Sequence, residues 1–248
     1  MAFIDTHAHL DCEEFKEDID EVIQRCKDND LKIIINNGLN PASNRATVEL
    51  SKKYPIIKRA LGLYPLDAIK LSDEEIETEI NFIRQQDPIA IGEIGLDYHW
   101  DKENHERQKY IFIKMLKLSK ELNIPAIIHS RDAEEDVINI LEKERIRKVV
   151  IHCFNGNEDL IKKAESLGYY FSIPCIITFV KHFQDMVKTI NINKILTETD
   201  CPLLSPFRGK RNEPINVRET IKKIADIKGF EPKEVENNIL LNYKRLFE

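Results

Sequence analysis

Residues 2–9 read AFIDTHAH, an apolar run that turns polar and ends in two histidines. The run at 2–4 predicts a short buried β-strand. Downstream of it, Phe15, Ile19, Val22 and Cys26 stand at spacings of three and four residues. That spacing is typical of a helix that packs one face against a core. The first part of the chain is therefore predicted to form a strand followed by a helix.

The same order of elements recurs along the chain. Short apolar runs, each followed by a longer segment, predict strands at 2–4, 33–35, 56–61, 89–91, 126–128, 149–151, 169–173 and 195–196. Strands that alternate with helices favour a parallel sheet. Eight units in 248 residues give about 31 residues each, near the length of one βα module. We therefore predict an α/β fold, a (β/α)₈ TIM-like barrel forming one domain over residues 1–248, with extra helices at 232–247. An open doubly wound sheet is the alternative, although no Gly-x-Gly-x-x-Gly follows a predicted strand.

Composition excludes several classes of protein. The chain has 37 Lys and Arg against 43 Asp and Glu, a formal charge of −6, which argues against coating nucleic acid through bulk charge. No apolar run approaches the ~20 residues of a membrane helix, and the N-terminus lacks a signal-peptide pattern. Five widely spaced cysteines favour reduced thiols. We expect a cytoplasmic protein with no membrane contact and no obligate protein partner.

His7 and His9 follow the first strand directly. Alternate side chains of an extended segment share a face, so the two imidazoles are expected to point the same way. A lone His-x-His pair is weak evidence for a metal site, because imidazoles also occupy cores and turns.

Further candidate ligands occupy the same relative position after other strands. They are Glu93, His129, His152 and Asp200. The carboxyl ends of parallel barrel strands converge on one face, where barrel active sites lie. Four imidazoles and two carboxylates suit Zn²⁺ or Mn²⁺, or Fe, better than an all-oxygen Mg²⁺ or Ca²⁺ site.

This set predicts two divalent metal ions, with Zn, Mn and Mg left open. His7 and His9 are expected to hold one ion and His129 and His152 the other, with Glu93 bridging because a carboxylate has two oxygens. Asp200 is then left beside the bound water as its base, and two such ions favour hydrolysis.

Cations follow the last predicted strand, in a loop that borders the expected site. Arg208, Lys210 and Arg211 lie within four residues and suit a phosphate group of a substrate, although such runs are often only solvated surface. Arg131 comes two residues after His129 and is a further candidate for orienting substrate. Trp100, the only tryptophan, either packs over the barrel rim or offers a stacking surface to a base.

Six motifs, in this order, make the chain resemble the TatD family of metal-dependent deoxyribonucleases over nearly its full length. They are DTHAHL at 5–10, GEIGLDY at 92–98, HSR at 129–131, HCFNG at 152–156, ETDCP at 198–202 and RGKRNEP at 208–214. The resemblance implies a TIM-like barrel, the same six metal ligands and hydrolysis of DNA phosphodiester bonds, at single strands or strand ends. It thus implies an exonucleolytic deoxyribonuclease.

One motif departs from the family. The family usually has Gly-x-His-Pro-His after the third strand, and this chain has Gly62-Leu63-Tyr64-Pro65-Leu66. Tyr64 takes the place of a histidine that faces substrate in the family, so it is expected to keep a hydrogen bond but no imidazolium charge. Two alternatives stay open: a metal-dependent ester or amide hydrolase, such as an aminoacyl-tRNA deacylase, and a nucleic-acid-binding relative without catalysis.

Overall fold

Eight parallel strands form one sheet in the computed structural model, which describes residues 3–248. The strands pair in chain order from first to last. They are β1 (Phe3–Ala8), β2 (Leu31–Asn37), β3 (Ile57–Leu61), β4 (Ala90–Asp97), β5 (Ala126–Arg131), β6 (Val149–His152), β7 (Tyr170–Ile173) and β8 (Ile195–Thr197). The predicted (β/α)₈ barrel is confirmed. Ala2, where the first predicted strand began, lies outside the described residues.

Helices follow the strands around the barrel. They are α1 (Ile19–Asp28), α2 (Pro41–Lys53), α3 (Pro65–Ala68), α4 (Asp73–Gln85), α5 (His105–Leu122), α6 (Glu134–Lys143), α7 (Glu158–Ser166), α8 (Lys181–Thr189), α9 (Val217–Lys228) and α10 (Pro232–Phe247). The extra helices predicted at 232–247 are the single helix α10. Its buried Asn242 donates to the carbonyls of Ile192 and Ile195 at 2.8 Å each, so α10 is fastened to the start of β8.

The first and last strands meet through side chains and isolated backbone bonds. Thr6 Oγ1 donates to the carbonyl of Thr197 at 3.0 Å. Beyond the strand ends, the backbone N–H of Asp200 donates to the carbonyl of His7 at 2.9 Å. These bonds bring β1 and β8 together and place two predicted metal ligands side by side.

The apolar runs form the inner layer because they are buried on both sides, by the barrel interior and by the surrounding helices. Every residue of β1 and of β4 is buried. The helices bury the striped residues that the spacing predicted, including Val22 and Cys26 of α1 and Ile111 and Met115 of α5. The rigid barrel then carries the polar residues at its carboxyl end.

No helix within residues 3–248 is both long enough and apolar enough to cross a bilayer.

Candidate metal centre

The structure brings the six predicted ligands together at the carboxyl end of the barrel. Each lies in the last part of a strand or just beyond it, except for one that lies in the middle of β4. They are His7 in β1, His9 directly after β1, Glu93 in β4, His129 in β5, His152 at the end of β6 and Asp200 three residues after β8.

Glu93 reaches the centre through an irregularity in β4. The pairing of β4 with β5 slips between Ile91 and Ile94, so β4 carries one residue more than its partner at this point. The backbone N–H of Glu93 instead donates to the carbonyl of Gly38 at 3.0 Å, in the loop after β2. Such a bulge re-aims a side chain. β4 therefore continues to Asp97, whereas the sequence predicted a strand that ends before Glu93.

The first group of ligand atoms contains both histidines of the first motif. His7 Nε2 lies 3.1 Å from His9 Nε2 and 3.1 Å from Glu93 Oε2. His9 Nε2 lies 3.4 Å from Glu93 Oε2 and 3.3 Å from Asp200 Oδ1. Metal bonds of ~2.1 Å in a tetrahedron separate ligand atoms by about 3.4 Å. The spacing of these four atoms thus matches the shell of one small divalent cation.

The other oxygen of Glu93 faces a different pair of histidines. Glu93 Oε1 lies 2.9 Å from His129 Nδ1 and 3.9 Å from His152 Nε2. Ligand atoms of His7, Glu93 and His152 also lie within 4.8 Å of one another. One carboxylate is therefore shared between two groups of imidazoles.

Hydrogen bonds outside the centre fix how these imidazoles are oriented. His9 Nδ1 lies 3.0 Å from the carbonyl of Asn37, and His129 Nε2 lies 3.2 Å from Asp97 Oδ2. Because a carbonyl and a carboxylate accept, each histidine carries a proton on that outer nitrogen. The inner nitrogen of the neutral ring then presents a lone pair to the centre, which is the usual arrangement of metal-binding histidines.

His152 is held in the same way by Glu198. His152 Nδ1 lies 2.9 Å from Glu198 Oε2, the backbone N–H of Cys153 donates to Oε1 at 3.1 Å, and Ser172 Oγ donates to Oε2 as well. Burial raises the pKa of Glu198 to about 8, against the lowering effect of His7 and Ser172. Glu198 therefore positions a candidate ligand without reaching the centre itself.

The electrostatics of the centre favour positive charge between the ligands. Burial alone would raise the pKa of Glu93, but the charge of His7 and hydrogen bonds from three histidines hold it well below its usual value. Burial would likewise lower the pKa of His9, but hydrogen bonds to Asp200 and Glu93 raise it well above its usual value. The carboxylates thus stabilise a cation among the imidazoles.

The donor set fits a divalent metal ion. Two carboxylate oxygens lie 3.4 and 3.3 Å from His9 Nε2. Their negative charges need a positive charge between them, which a proton on His9 or a divalent metal ion supplies. His7 Nδ1 is buried and has no hydrogen-bond partner within residues 3–248. Imidazoles with carboxylates are the ligands that Zn²⁺ and similar transition ions prefer.

The centre is open on the side of Asp200 and His129. Their side chains are 14% and 13% exposed, whereas that of His7 is fully buried. The backbone of Asp200 has a φ of 54°, in the left-handed region, which Asp tolerates better than most residues. A molecule that enters the barrel mouth therefore reaches Asp200 and His129 before the buried His7.

Tyr64 and Arg131 occupy different parts of the same end of the barrel. Tyr64 Oη donates to Asp97 Oδ2 at 2.8 Å, and its ring packs edge-on against His129 at 5.0 Å between centroids. The hydroxyl expected to face substrate is thus already bonded to the carboxylate that orients His129. Arg131 is exposed, and its guanidinium lies 5.3 Å from the centre of the Trp100 ring.

The cations after β8 divide into two kinds. Arg208 and Lys210 are exposed, and neither forms a side-chain hydrogen bond or ion pair within residues 3–248. Arg211 differs from expectation, because its guanidinium binds Asp18 at 2.9 and 2.6 Å and Glu213 at 3.1 Å. With its donors taken by two carboxylates, Arg211 anchors the loop instead of offering a free charge.

Sequence reasoning missed two positioning carboxylates. Glu198 lies in a motif quoted above but received no role. Asp5 accepts from Thr199 Oγ1 at 2.5 Å and from the backbone N–H of His7 at 3.2 Å, so it fixes the strand that carries His7. An acid close to a predicted ligand was the available signal, but its partner Thr199 lies 194 residues away along the chain.

A parallel barrel with imidazoles and carboxylates gathered at its carboxyl end defines the class of metal-dependent hydrolases. The family model described as TatD related DNase matches residues 4–248. The chain belongs to the TatD family.

Three relatives illustrate the extent of the similarity. The uncharacterized metal-dependent hydrolase YabD of Bacillus subtilis is 39% identical over 98% of this chain and 98% of its own. The human deoxyribonuclease TATDN3 is 29% identical over 100% of this chain and 95% of its own. The crystal structure of YjjV, a TatD homologue from Escherichia coli K12, is 28% identical, with a TM-score of 0.92 over 99% of this chain and 97% of that one.

Proposed function

We propose that this protein is a metal-dependent deoxyribonuclease that removes nucleotides from single-stranded DNA or from strand ends. Two divalent ions are its cofactors, one held by His7 and His9 and the other by His129 and His152. Glu93 bridges them, and Asp200 is the general base.

The observation that carries the proposal is the division of the Glu93 carboxylate. Its Oε2 lies 3.1 Å from His7 Nε2, and its Oε1 lies 2.9 Å from His129 Nδ1. A carboxylate that serves one ion has no need of imidazoles at both oxygens. Sites with two ions ~3.5–4 Å apart are frequent in enzymes that displace one phosphate oxygen by another.

The residues of the chain divide the chemistry between them. A bound pair of ions supplies charge stabilisation to the attacking and leaving oxygens of a phosphodiester. Asp200, the more exposed carboxylate of the centre, accepts the proton of the attacking water. Asp97 and Glu198 keep His129 and His152 in the orientation that the site needs.

Two features favour DNA as the substrate. The family model is described as TatD related DNase, and the human relative is named a deoxyribonuclease. Arg131, Arg208 and Lys210 are exposed and lie in or after the last residues of β5 and β8, at the end of the barrel that carries the centre. Guanidinium and ammonium groups are the usual partners of phosphate oxygens. Arg211 has a supporting role, since it holds the loop that presents Arg208 and Lys210.

The ligand types favour zinc or manganese over magnesium. Each proposed ion receives two imidazole nitrogens, whereas Mg²⁺ prefers oxygen ligands and water.

The test is a digest of single-stranded DNA labelled at the 5′ end or at the 3′ end. Metal-stripped protein receives Zn²⁺, Mn²⁺ or Mg²⁺ separately, and Asp200→Asn is the matched variant because it removes the base but keeps the shape. We expect ladders of DNA fragments that depend on metal and that the variant does not produce. Comparison of the 5′-labelled and 3′-labelled strands gives the direction of cleavage.

If the protein binds metal but the DNA remains intact with every metal tested, the proposal is overturned. Parallel reactions with aminoacyl-tRNA and a carboxylic ester then show whether the centre cleaves acyl bonds instead. Saturable DNA binding with no turnover of any substrate would identify a binding protein.

A further inference from the structure

Large apolar side chains are exposed at seven positions within residues 3–248, and Trp100 is the most exposed of them at 65%. It lies in the loop between β4 and α5, at the end of the barrel that carries the metal centre. Covering so large an indole removes unfavourable contact with water. The exposed ring is therefore available to a molecule that binds at this end of the barrel.

One carboxylate ties the Trp100 loop to the metal centre. Asp97 Oδ1 accepts from the backbone N–H of His99 at 3.1 Å and of Trp100 at 3.0 Å. Asp97 Oδ2 accepts from His129 Nε2 at 3.2 Å. The same side chain thus holds the backbone that carries Trp100 and orients a candidate metal ligand, so the loop and the centre share one support.

The indole is also supported from its sides. The His99 ring meets it edge-on at 4.9 Å between centroids, and His99 Nδ1 is bonded to Asp132 Oδ2 at 2.9 Å. The Arg131 guanidinium lies over the ring, 5.3 Å from its centre, and Arg131 forms no ion pair within the described chain, residues 3–248. The result is an exposed aromatic surface with a positive charge over one face of the ring.

We propose that Trp100 stacks against a nucleobase of the DNA strand next to the phosphodiester that is cleaved, and that Arg131 binds the phosphate flanking that base. This inference rests on the proposed function and names how the same site holds its substrate. Every base has a π-face, so stacking on an aromatic side chain holds a strand without selecting a sequence. Because the loop is already fixed, little ordering accompanies binding.

The first experiment uses the fact that Trp100 is the only tryptophan in the chain, so the tryptophan fluorescence of the protein reports this one ring. Metal-stripped protein is titrated with oligothymidylate and with an abasic oligonucleotide of the same length and charge. We expect saturable quenching by oligothymidylate and none by the abasic strand. The two strands are compared at equal saturation of binding, and binding is measured by the fluorescence anisotropy of a labelled strand. Equal quenching by both strands, or binding without quenching, would overturn the proposal.

The second experiment measures cleavage by Trp100→Ala, Trp100→Phe and Phe230→Ala. Phe230 is the matched control: it is an exposed aromatic residue between α9 and α10, at the opposite end of the barrel. Loss of one stacked base is expected to raise KM for single-stranded DNA about tenfold. We expect kcat to change less than twofold, Trp100→Phe to recover most of the loss, and Phe230→Ala to behave as wild type.

The two experiments separate this inference from the proposed function. If the wild type cleaves DNA and Trp100→Ala has an unchanged KM, the stacking proposal is overturned and the proposed nuclease activity stands. A wild-type protein that cleaves no DNA would overturn the nuclease, and the fluorescence titration would then decide alone whether Trp100 meets a base.

Discussion

Glu93 and His129 meet at 2.9 Å, from Glu93 Oε1 to His129 Nδ1, while the second oxygen of Glu93 lies 3.1 Å from His7 Nε2. The first contact joins neighbouring strands, β4 and β5. The second crosses the barrel, since β1 and β4 share no backbone ladder in the strand order. The carboxylate therefore connects ligands that the sheet alone does not bring together.

Replacing Glu93 with Gln removes the charge and one of the two acceptor oxygens. We expect the metal content per chain to fall by at least one ion and DNA cleavage to fall by about 100-fold or more, as for a group central to a two-ion site. Metal analysis after gel filtration and single-turnover cleavage measure both effects. Glu106→Gln, at a side chain that is 90% exposed, is the control. Full metal content in Glu93→Gln would contradict the bridging role.

Asp97→Asn changes a group that touches His129 but not the centre. We expect metal affinity to fall roughly 10–100-fold, because the carboxylate fixes the protonated nitrogen of the ring. Tyr64→Phe is the comparison, since it removes only the 2.8 Å bond to Asp97 and is expected to cost less. Competition with a chromogenic chelator measures both affinities. An unchanged affinity in Asp97→Asn would show that His129 needs no such support.

Glu198→Ala leaves His152 Nδ1 without its acceptor. The ring can then turn or take the other tautomer, so we expect metal affinity to fall about 10–100-fold while Glu198→Gln, which keeps one acceptor oxygen, falls less. Titration of the metal-stripped variants with Zn²⁺ by calorimetry gives both the affinity and the number of sites. Equal binding by Glu198→Ala and wild type would assign Glu198 to packing alone.

Gly95→Ala tests the close contact between β4 and β5. A Cβ at Gly95 would lie 1.9 Å from the carbonyl oxygen of His129, and φ at Gly95 is +153°. Backbone cannot move aside as a side chain can, so we expect Tm to fall by roughly 5 °C or more. Gly209→Ala is the control, because its φ is also positive but no atom lies within 4 Å of the added Cβ. Similar Tm values for the two variants would contradict the clash.

Alkaline pH is expected to destabilise the protein partly through Tyr243. Burial, with a smaller contribution from Glu248, raises the pKa of Tyr243 to about 12, above the value of 10.0 in an unfolded chain. The folded protein then holds this proton more tightly, so its contribution to stability is complete below pH 10 and is lost as the pH rises towards 12. Denaturant unfolding of wild type and Tyr243→Phe at pH 9 and pH 11 measures it. The stability of the variant should fall less over this interval; an equal fall would contradict the effect.

The barrel could be predicted because each βα unit carries its own local signal. Apolar runs mark the strands, and the stripe from Ile19 to Cys26 marks helix α1, although Phe15, which the same spacing included, lies in a short 3₁₀ helix before it. The gathering of His7 and Glu93 followed from the rule that parallel strands end on one face of the barrel.

The finer geometry depends on contacts that no local pattern contains. The slip in β4 that aims Glu93 exists only relative to β5, and the burial of Glu198 beside His152 joins residues 46 apart. It was equally hard to predict which cations are unpaired, because Arg211 pairs with Asp18, which lies 193 residues away along the chain.

The decisive measurement is anomalous diffraction from zinc-loaded crystals, recorded at the zinc edge. We expect two peaks ~3.5–4 Å apart on either side of the Glu93 carboxylate. One should lie ~2.0–2.2 Å from nitrogens of His7 and His9, and the other at that distance from His129 and His152. A single peak, or peaks that leave out either pair of histidines, would contradict a two-metal hydrolytic centre.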